Sequence, residues 1–179
     1  MVQPGKVIFL DGASSSGKST LAKALQVRLP EPFMHFSMEC LATDDVLPNY
    51  RFRNGEFNWA DRRAGFFHGF HRCIPALAWA GNNLIVEHII ETMEWRVRLE
   101  RLLDGLDVFL VNLRCPLDVL EQREIARGDR PIGDAAHDFE TIHSFGACDL
   151  EIDSTKPIEV TTDIVLRAWI HRAKPGEFV

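Results

Sequence analysis

The sequence predicts an α/β fold, a five-stranded parallel sheet with helices on both faces. Three features predict it. Five short apolar runs recur along the 179 residues, helix-period segments separate them, and a glycine-rich turn joins the first run to the first helix. Parallel neighbours need a helix-length crossover, so strands alternating with helices favour a parallel sheet over a meander.

The first run, Lys6 to Leu10 (K-V-I-F-L), is continuously apolar and rich in β-branched residues, as a central strand covered on both faces must be. Phe33 to Ser37, Asn83 to Glu87 (N-L-I-V-E), Val108 to Leu113 (V-F-L-V-N-L) and the weaker Leu150 to Asp153 are the other strand candidates. Leu21, Leu25 and Leu29 share one helix face that must end near Pro30, and Leu99, Leu102 and Leu103 mark another helix. Longer helices are expected over Trp59 to Ala80, Pro116 to Arg127 and Ile158 to Arg172, and the polar stretch Pro48 to Asn58 reads as a loop bordering a substrate site. No repeat or linker-like shift divides the chain, so residues 1–179 read as a single domain.

Composition narrows the function classes. A content of 46% hydrophobic and 26% charged residues is that of a globular chain, and a net charge of -6 disfavours a general nucleic-acid binder, whose affinity rests on excess Lys and Arg. No segment approaches the ~20 apolar residues of a membrane span, and the N-terminal stretch lacks the pattern of a signal peptide. Cys40, Cys73, Cys115 and Cys148 form no C-x-x-C pair, so reduced thiols and a cytoplasmic location are expected. A small-molecule partner fits best, and oligomeric state is not legible.

Gly12 to Ser19 reads G-A-S-S-S-G-K-S, the P-loop pattern, placed between a predicted strand and a predicted helix. Backbone N–H groups of such a turn and the helix N-terminus converge on one anion site. Gly12, Ala13, Ser14, Ser15, Ser16, Gly17, Lys18, Ser19 and Thr20 are therefore the expected nucleotide contacts, with Lys18 on the β- and γ-phosphates and Ser19 on Mg2+. The guanine-reading N-K-x-D and the D-x-x-G loop of GTPases are absent, which leaves small ATP-dependent kinases.

Such kinases need a lid and an acid at the acceptor. Arg123 to Arg130 (R-E-I-A-R-G-D-R) ends a helix and enters a Gly/Pro loop, so a lid around 123–134 is expected, with Arg127 and Arg130 closing on the phosphates. Glu39, just after the second strand, is the candidate base, with Asp44 and Asp45 as rivals downstream. Glu87 ends the third strand where a carboxylate can reach magnesium through water. His88 beside it reads as structural or substrate-facing, and His68 with His71 have helical spacing but no evident third ligand for zinc.

These residues resemble the chloramphenicol phosphotransferase family of P-loop kinases. The similarity runs from G-A-S-S-S-G-K-S through L-P-E-P-F at Leu29 to Phe33 and A-R-G-D-R at Ala126 to Arg130, to D-S-T-K at Asp153. It implies ATP as donor and the primary hydroxyl of an antibiotic as acceptor. It also implies that Glu39 takes the place of the family's catalytic aspartate, one methylene longer, and that Glu87 and His88 replace its paired aspartates. The expectation is an ATP- and Mg2+-dependent O-phosphotransferase of chloramphenicol or a related antibiotic. A shikimate- or gluconate-type metabolite kinase and a non-catalytic ATP-binding regulator are the alternatives.

Overall fold

The computed structural model describes residues 2–128, 133–142, 145–172, 176 and 178. Five strands, β1 (Val7–Gly12), β2 (Met34–Ser37), β3 (Leu84–His88), β4 (Val108–Arg114) and β5 (Leu150–Asp153), form one sheet in the order β2-β3-β1-β4-β5. Every pairing is parallel. Each strand lies within a residue or two of its predicted run.

Alternation along β1 explains the two layers. Val7 and Phe9 point to one face and Ile8 and Leu10 to the other, and all four are fully buried, so the strand has no solvent side. On the first face Val7 and Phe9 pack with Phe70, Ile74 and Ala78 of α3 (Ala60–Trp79) and with Leu99 and Leu103 of α4 (Met93–Leu103). On the second, Ile8 and Leu10 pack with Leu21 and Leu25 of α1 (Lys18–Arg28) and with Val165 and Trp169 of α7 (Ile158–His171). Helix α3 continues through Pro75 despite the amide hydrogen bond proline removes, because Ile74, Pro75 and Ala78 are all held in the core.

Three further elements differ from expectation. The Pro48 to Asn58 stretch contains a short helix, α2 (Asn49–Arg53), with Phe52, Phe57 and Trp59 packed edge to face. Its turn-rich composition concealed a local aromatic cluster. After α5 (Leu117–Arg127) comes an unpredicted helix, α6 (Asp134–Thr141), which starts at Gly133 in a left-handed conformation. Its eight residues carry too few apolar side chains to show a period. A single 3-10 turn, Met38–Cys40, follows β2.

With β1 central between β3 and β4, and with α1 leaving it across one face while α3 and α4 cover the other, the carboxyl edge of the sheet opens a crevice above β1. The site is built there.

Candidate active site

The turn after β1 has the shape its sequence demands. A Cβ on Gly12 would sit 2.7 Å from Ser16 Oγ and 3.0 Å from Leu113 Cβ, and Gly17 adopts φ +96°, which only glycine takes readily. Ser15 is the one non-glycine among the described residues with positive φ, at 62°. Lys18, the first residue of α1, folds back so that Nζ donates to Gly12 O at 2.6 Å and Ala13 O at 2.9 Å. Burial lowers the Lys18 pKa, while Glu87, Asp11, Asp138 and Glu39 act to raise it.

Beside the loop runs a polar chain. Ser19 Oγ donates to both Glu87 carboxylate oxygens, at 2.9 and 3.1 Å, and His35 Nε2 lies 3.0 Å from Glu87 Oε1. Parallel pairing of β2 with β3 brings His35 and Glu87 together, since Ser37 is in register with Glu87 and His35 with Ile85. Glu87 itself is in register with Leu10 of β1, one residue before the turn approaches. Nothing in the linear sequence couples His35 to position 87. Only the strand order does.

Deeper on the same side, His88 is buried with its ring stacked on Trp95 at 5.3 Å, and its Nε2 lies 2.9 Å from Nε2 of buried His71. One nitrogen must donate and the other accept, so a second proton on this contact would set two N–H groups face to face. Burial accordingly depresses both, His71 to about 4 and His88 well below its ordinary value. His68 instead accepts from Arg72 Nε at 3.3 Å, so the helical His68–His71 spacing does not converge.

Helices α5 and α6 flank the glycine-rich turn. Glu124 accepts from Gly133 N and Ala135 N, both at 2.9 Å, which caps α6 and lowers the Glu124 pKa. Asp138 of α6, whose pKa is raised by burial, then accepts from Ser14 N at 2.8 Å and ties α6 to the glycine-rich turn. Arg123 Nη2 donates to Ser154 O at 2.9 Å, and its Nη1 lies 3.4 Å from Ser16 O. Arg127 lines the cavity one helical turn on. Arg130 lies outside the described residues.

These parts surround one cavity of about 490 Å³. Ser14 to Thr20 form its floor, Glu39 in the 3-10 turn after β2 lines it, and Asp44 and Asp45 do not. Asp44 is exposed and faces Arg53 at 3.5 Å. Gly12 and Ala13 lie just before this floor, buried under it. Among the described lining residues, the cations Lys18, Arg123, Arg127 and Lys156 come from α1, α5 and the β5–α7 loop. The carboxylates Glu39, Glu87 and Glu91 come from the ends of β2 and β3, with Met38, Phe67, His88 and Ile89 around them. The cavity thus has a cationic half and an acidic, aromatic half.

Sequence reasoning passed over Arg123, His35, Asp138 and the pair Arg63–Glu91. Arg123 had a signal, because it stands four residues before Arg127 and shares its helix face. The others are brought in by tertiary contacts alone.

A five-stranded parallel sheet with this turn on its central strand defines a P-loop kinase fold, and the class is a kinase-type phosphotransferase. The chain belongs to the chloramphenicol phosphotransferase-like protein family, whose model matches residues 5–169. A Mycobacterium tuberculosis (strain H37Rv) protein named "Putative O-phosphotransferase Rv2636" is 30% identical over 170 residues, covering 84% of this chain and 76% of its own. Two solved structures are similar in fold. A sugar kinase from Janibacter sp. HTCC2649 has a TM-score of 0.70 at 18% identity, covering 93% of this chain and 95% of its own. The Mycobacterium tuberculosis APS kinase CysC, solved with AMPPNP and APS, has a TM-score of 0.68 at 21% identity, covering 94% and 99%.

Proposed function

We propose that this chain is an ATP- and Mg2+-dependent O-phosphotransferase that phosphorylates a hydroxyl of chloramphenicol or a related antibiotic. The observation that supports it most is that Lys18, Arg127 and Glu39, from three distant segments, line one cavity. In this reading the turn Gly12–Ser19 cradles the triphosphate with its backbone N–H groups, and Lys18 leaves the Gly12 and Ala13 carbonyls for the β- and γ-phosphates. Ser19 Oγ and the Glu87 carboxylate, hydrogen-bonded to each other beside the turn, are hard oxygen donors that would hold magnesium. When bound, the ion neutralises charge on the β- and γ-phosphates.

Glu39 aligns the acceptor. Its carboxylate takes the hydroxyl proton as the acceptor oxygen bonds to the γ-phosphorus, the bridging P–O bond breaks, and ADP leaves with that electron pair. Arg127 balances the charge in flight, and the segment 123–134 acts as a lid hinged beside the Glu124-capped start of α6. Little covalent work falls to the protein beyond this.

Mass spectrometry of hydroxylated antibiotics and metabolites, chloramphenicol first, after incubation with the protein and ATP-Mg tests the reading. A product heavier by one phosphoryl group is expected. ATP binding without transfer to any alcohol would overturn it.

A further inference from the structure

Behind the acidic half of the cavity stands one cation that the phosphotransfer reading does not use. Arg63, in the first turns of α3, directs Nη2 onto both carboxylate oxygens of Glu91, at 2.6 and 2.5 Å. Its guanidinium carbon lies 4.8 Å from the Phe67 ring centroid and 5.2 Å from that of Trp95. Glu91 and Phe67 both line the cavity, so Arg63 stands directly behind its wall, held in place by two aromatic faces.

We propose that Glu91 sets the charge selectivity of the acceptor end: by occupying Arg63 it excludes carboxylate-bearing alcohols and leaves the site to uncharged ones. The proposal rests on the phosphotransferase reading and names the acceptor class within it. A guanidinium fixed over aromatic rings is a ready receptor for a carboxylate. Here that place is already taken by a carboxylate of the chain itself. An acceptor acid would have to share Arg63 with Glu91 while facing Glu39 and Glu87, a like-charge arrangement that acts against it without touching a neutral molecule. Among the described residues the other cations lining the cavity belong to the glycine-rich turn, α5 and the β5–α7 loop, and Lys18, which feels Glu39 and Glu87, is already held by the Gly12 and Ala13 carbonyls. The same wall carries the apolar ring of Phe67 as well as its carboxylates, a lining that suits an uncharged aryl alcohol better than an acid.

The test compares wild type, Glu91→Gln, and the double variant Arg63→Met/Glu91→Gln. Binding of chloramphenicol, shikimate and gluconate is titrated calorimetrically in the presence of AMPPNP, with a melting curve for each protein. Glu91→Gln is expected to tighten shikimate and gluconate by about tenfold or more and to change chloramphenicol by less than about threefold, because only a charge changes. Removing Arg63 as well should abolish the gain. Because Arg63 and Glu91 are both part-exposed, the variants should melt near wild type; Arg63→Met alone, which removes the cation and keeps Glu91, should bind the acids no better than wild type. The proposal is overturned if wild type binds the two acids as well as Glu91→Gln does, or if the gain survives without Arg63. Binding does not require turnover, so failure here is separable from failure of phosphate transfer, which is read by product mass.

Discussion

The two halves of the cavity are made in different ways. The half proposed to take the donor is a contiguous turn that would bind through its backbone, and its shape follows from Gly12, Gly17 and the junction of β1 with α1. The acceptor half is assembled from side chains of the turn after β2, α3, the end of β3 and the β3–α4 connection, none of which forms a pattern in the sequence. A main-chain site announces itself in a handful of adjacent residues. A side-chain site becomes visible only once the strand order is known. The halves also differ in charge, cations around the glycine-rich turn and α5 and carboxylates after β2 and β3, and each difference can be tested separately.

The largest effect is expected in the donor half. Lys18→Ala removes the cation that reaches the β- and γ-phosphates and should lower transfer by about 10³ or more while weakening ATP binding strongly, since it acts where charge is densest. Isothermal titration with ATP and a transfer assay measure both. Normal transfer in this variant would break the assignment of the donor half altogether.

Next come the two arginines of α5, which sharpen the boundary between binding and catalysis. Arg127→Ala should lower kcat by about 10² to 10³ with little change in ATP affinity, because its charge is needed as transfer proceeds. Arg123→Ala should instead loosen the turn and weaken nucleotide binding, since Arg123 is already engaged with Ser154 O and the P-loop carbonyls. The same kinetic signature from both variants would erase the distinction.

In the acceptor half, Glu39→Gln should leave ATP affinity unchanged and reduce phosphorylation by about 10², the scale of a lost general base. Asp44→Asn and Asp45→Asn should each stay within about twofold, as surface substitutions away from a site generally do. Steady-state rates at saturating ATP-Mg decide between them. A collapse in either aspartate variant with Glu39→Gln fully active would move the base out of the cavity.

How far the sequence could be read follows the same division. The strands were legible because β1, β3 and β4 are buried on both faces and must be continuously apolar, and α1 was legible from its leucine period and Pro30. The turn that floors the cavity was legible because glycine spacing dictates backbone shape. Helix α6 was not, and neither was Asp138, which reaches Ser14 N across 124 positions. His35 and Glu87 meet through strand pairing, and Arg63 meets Glu91 through the packing of α3 beside β3. The Pro48 to Asn58 segment, expected to border the substrate, forms α2 and contributes no residue to the cavity wall.

The smallest expected effect sets the two halves against each other through pH. On the donor side burial raises Asp11 to about 6, against the opposing pull of the Ile90 N–H, Lys18 and Arg96. On the acceptor side burial lowers His71 to about 4, aided by Arg98 and His68. The signs are opposite. A carboxyl that holds its proton more tightly when folded makes the fold less stable as pH rises from about 4 to about 6, because the folded chain then binds more protons than the unfolded one. An imidazole that resists protonation when folded does the reverse: its contribution is intact above about 6.5 and is lost as pH falls toward 4, a change on the order of 3 kcal/mol for His71 acting alone. His88, depressed with it, acts in the same direction, so wild type should gain stability as pH rises from about 4.5 to about 6.5, less steeply than the histidines alone would give because Asp11 opposes them, measured as urea unfolding free energy. Asp11→Asn keeps an acceptor for Ile90 N–H, removes the downward slope and should leave stability rising steeply with pH. His71→Phe removes one of the two upward contributions and should flatten the profile. If His71→Phe retains the wild-type profile, the buried histidine pair is not what resists acid beneath the acceptor site.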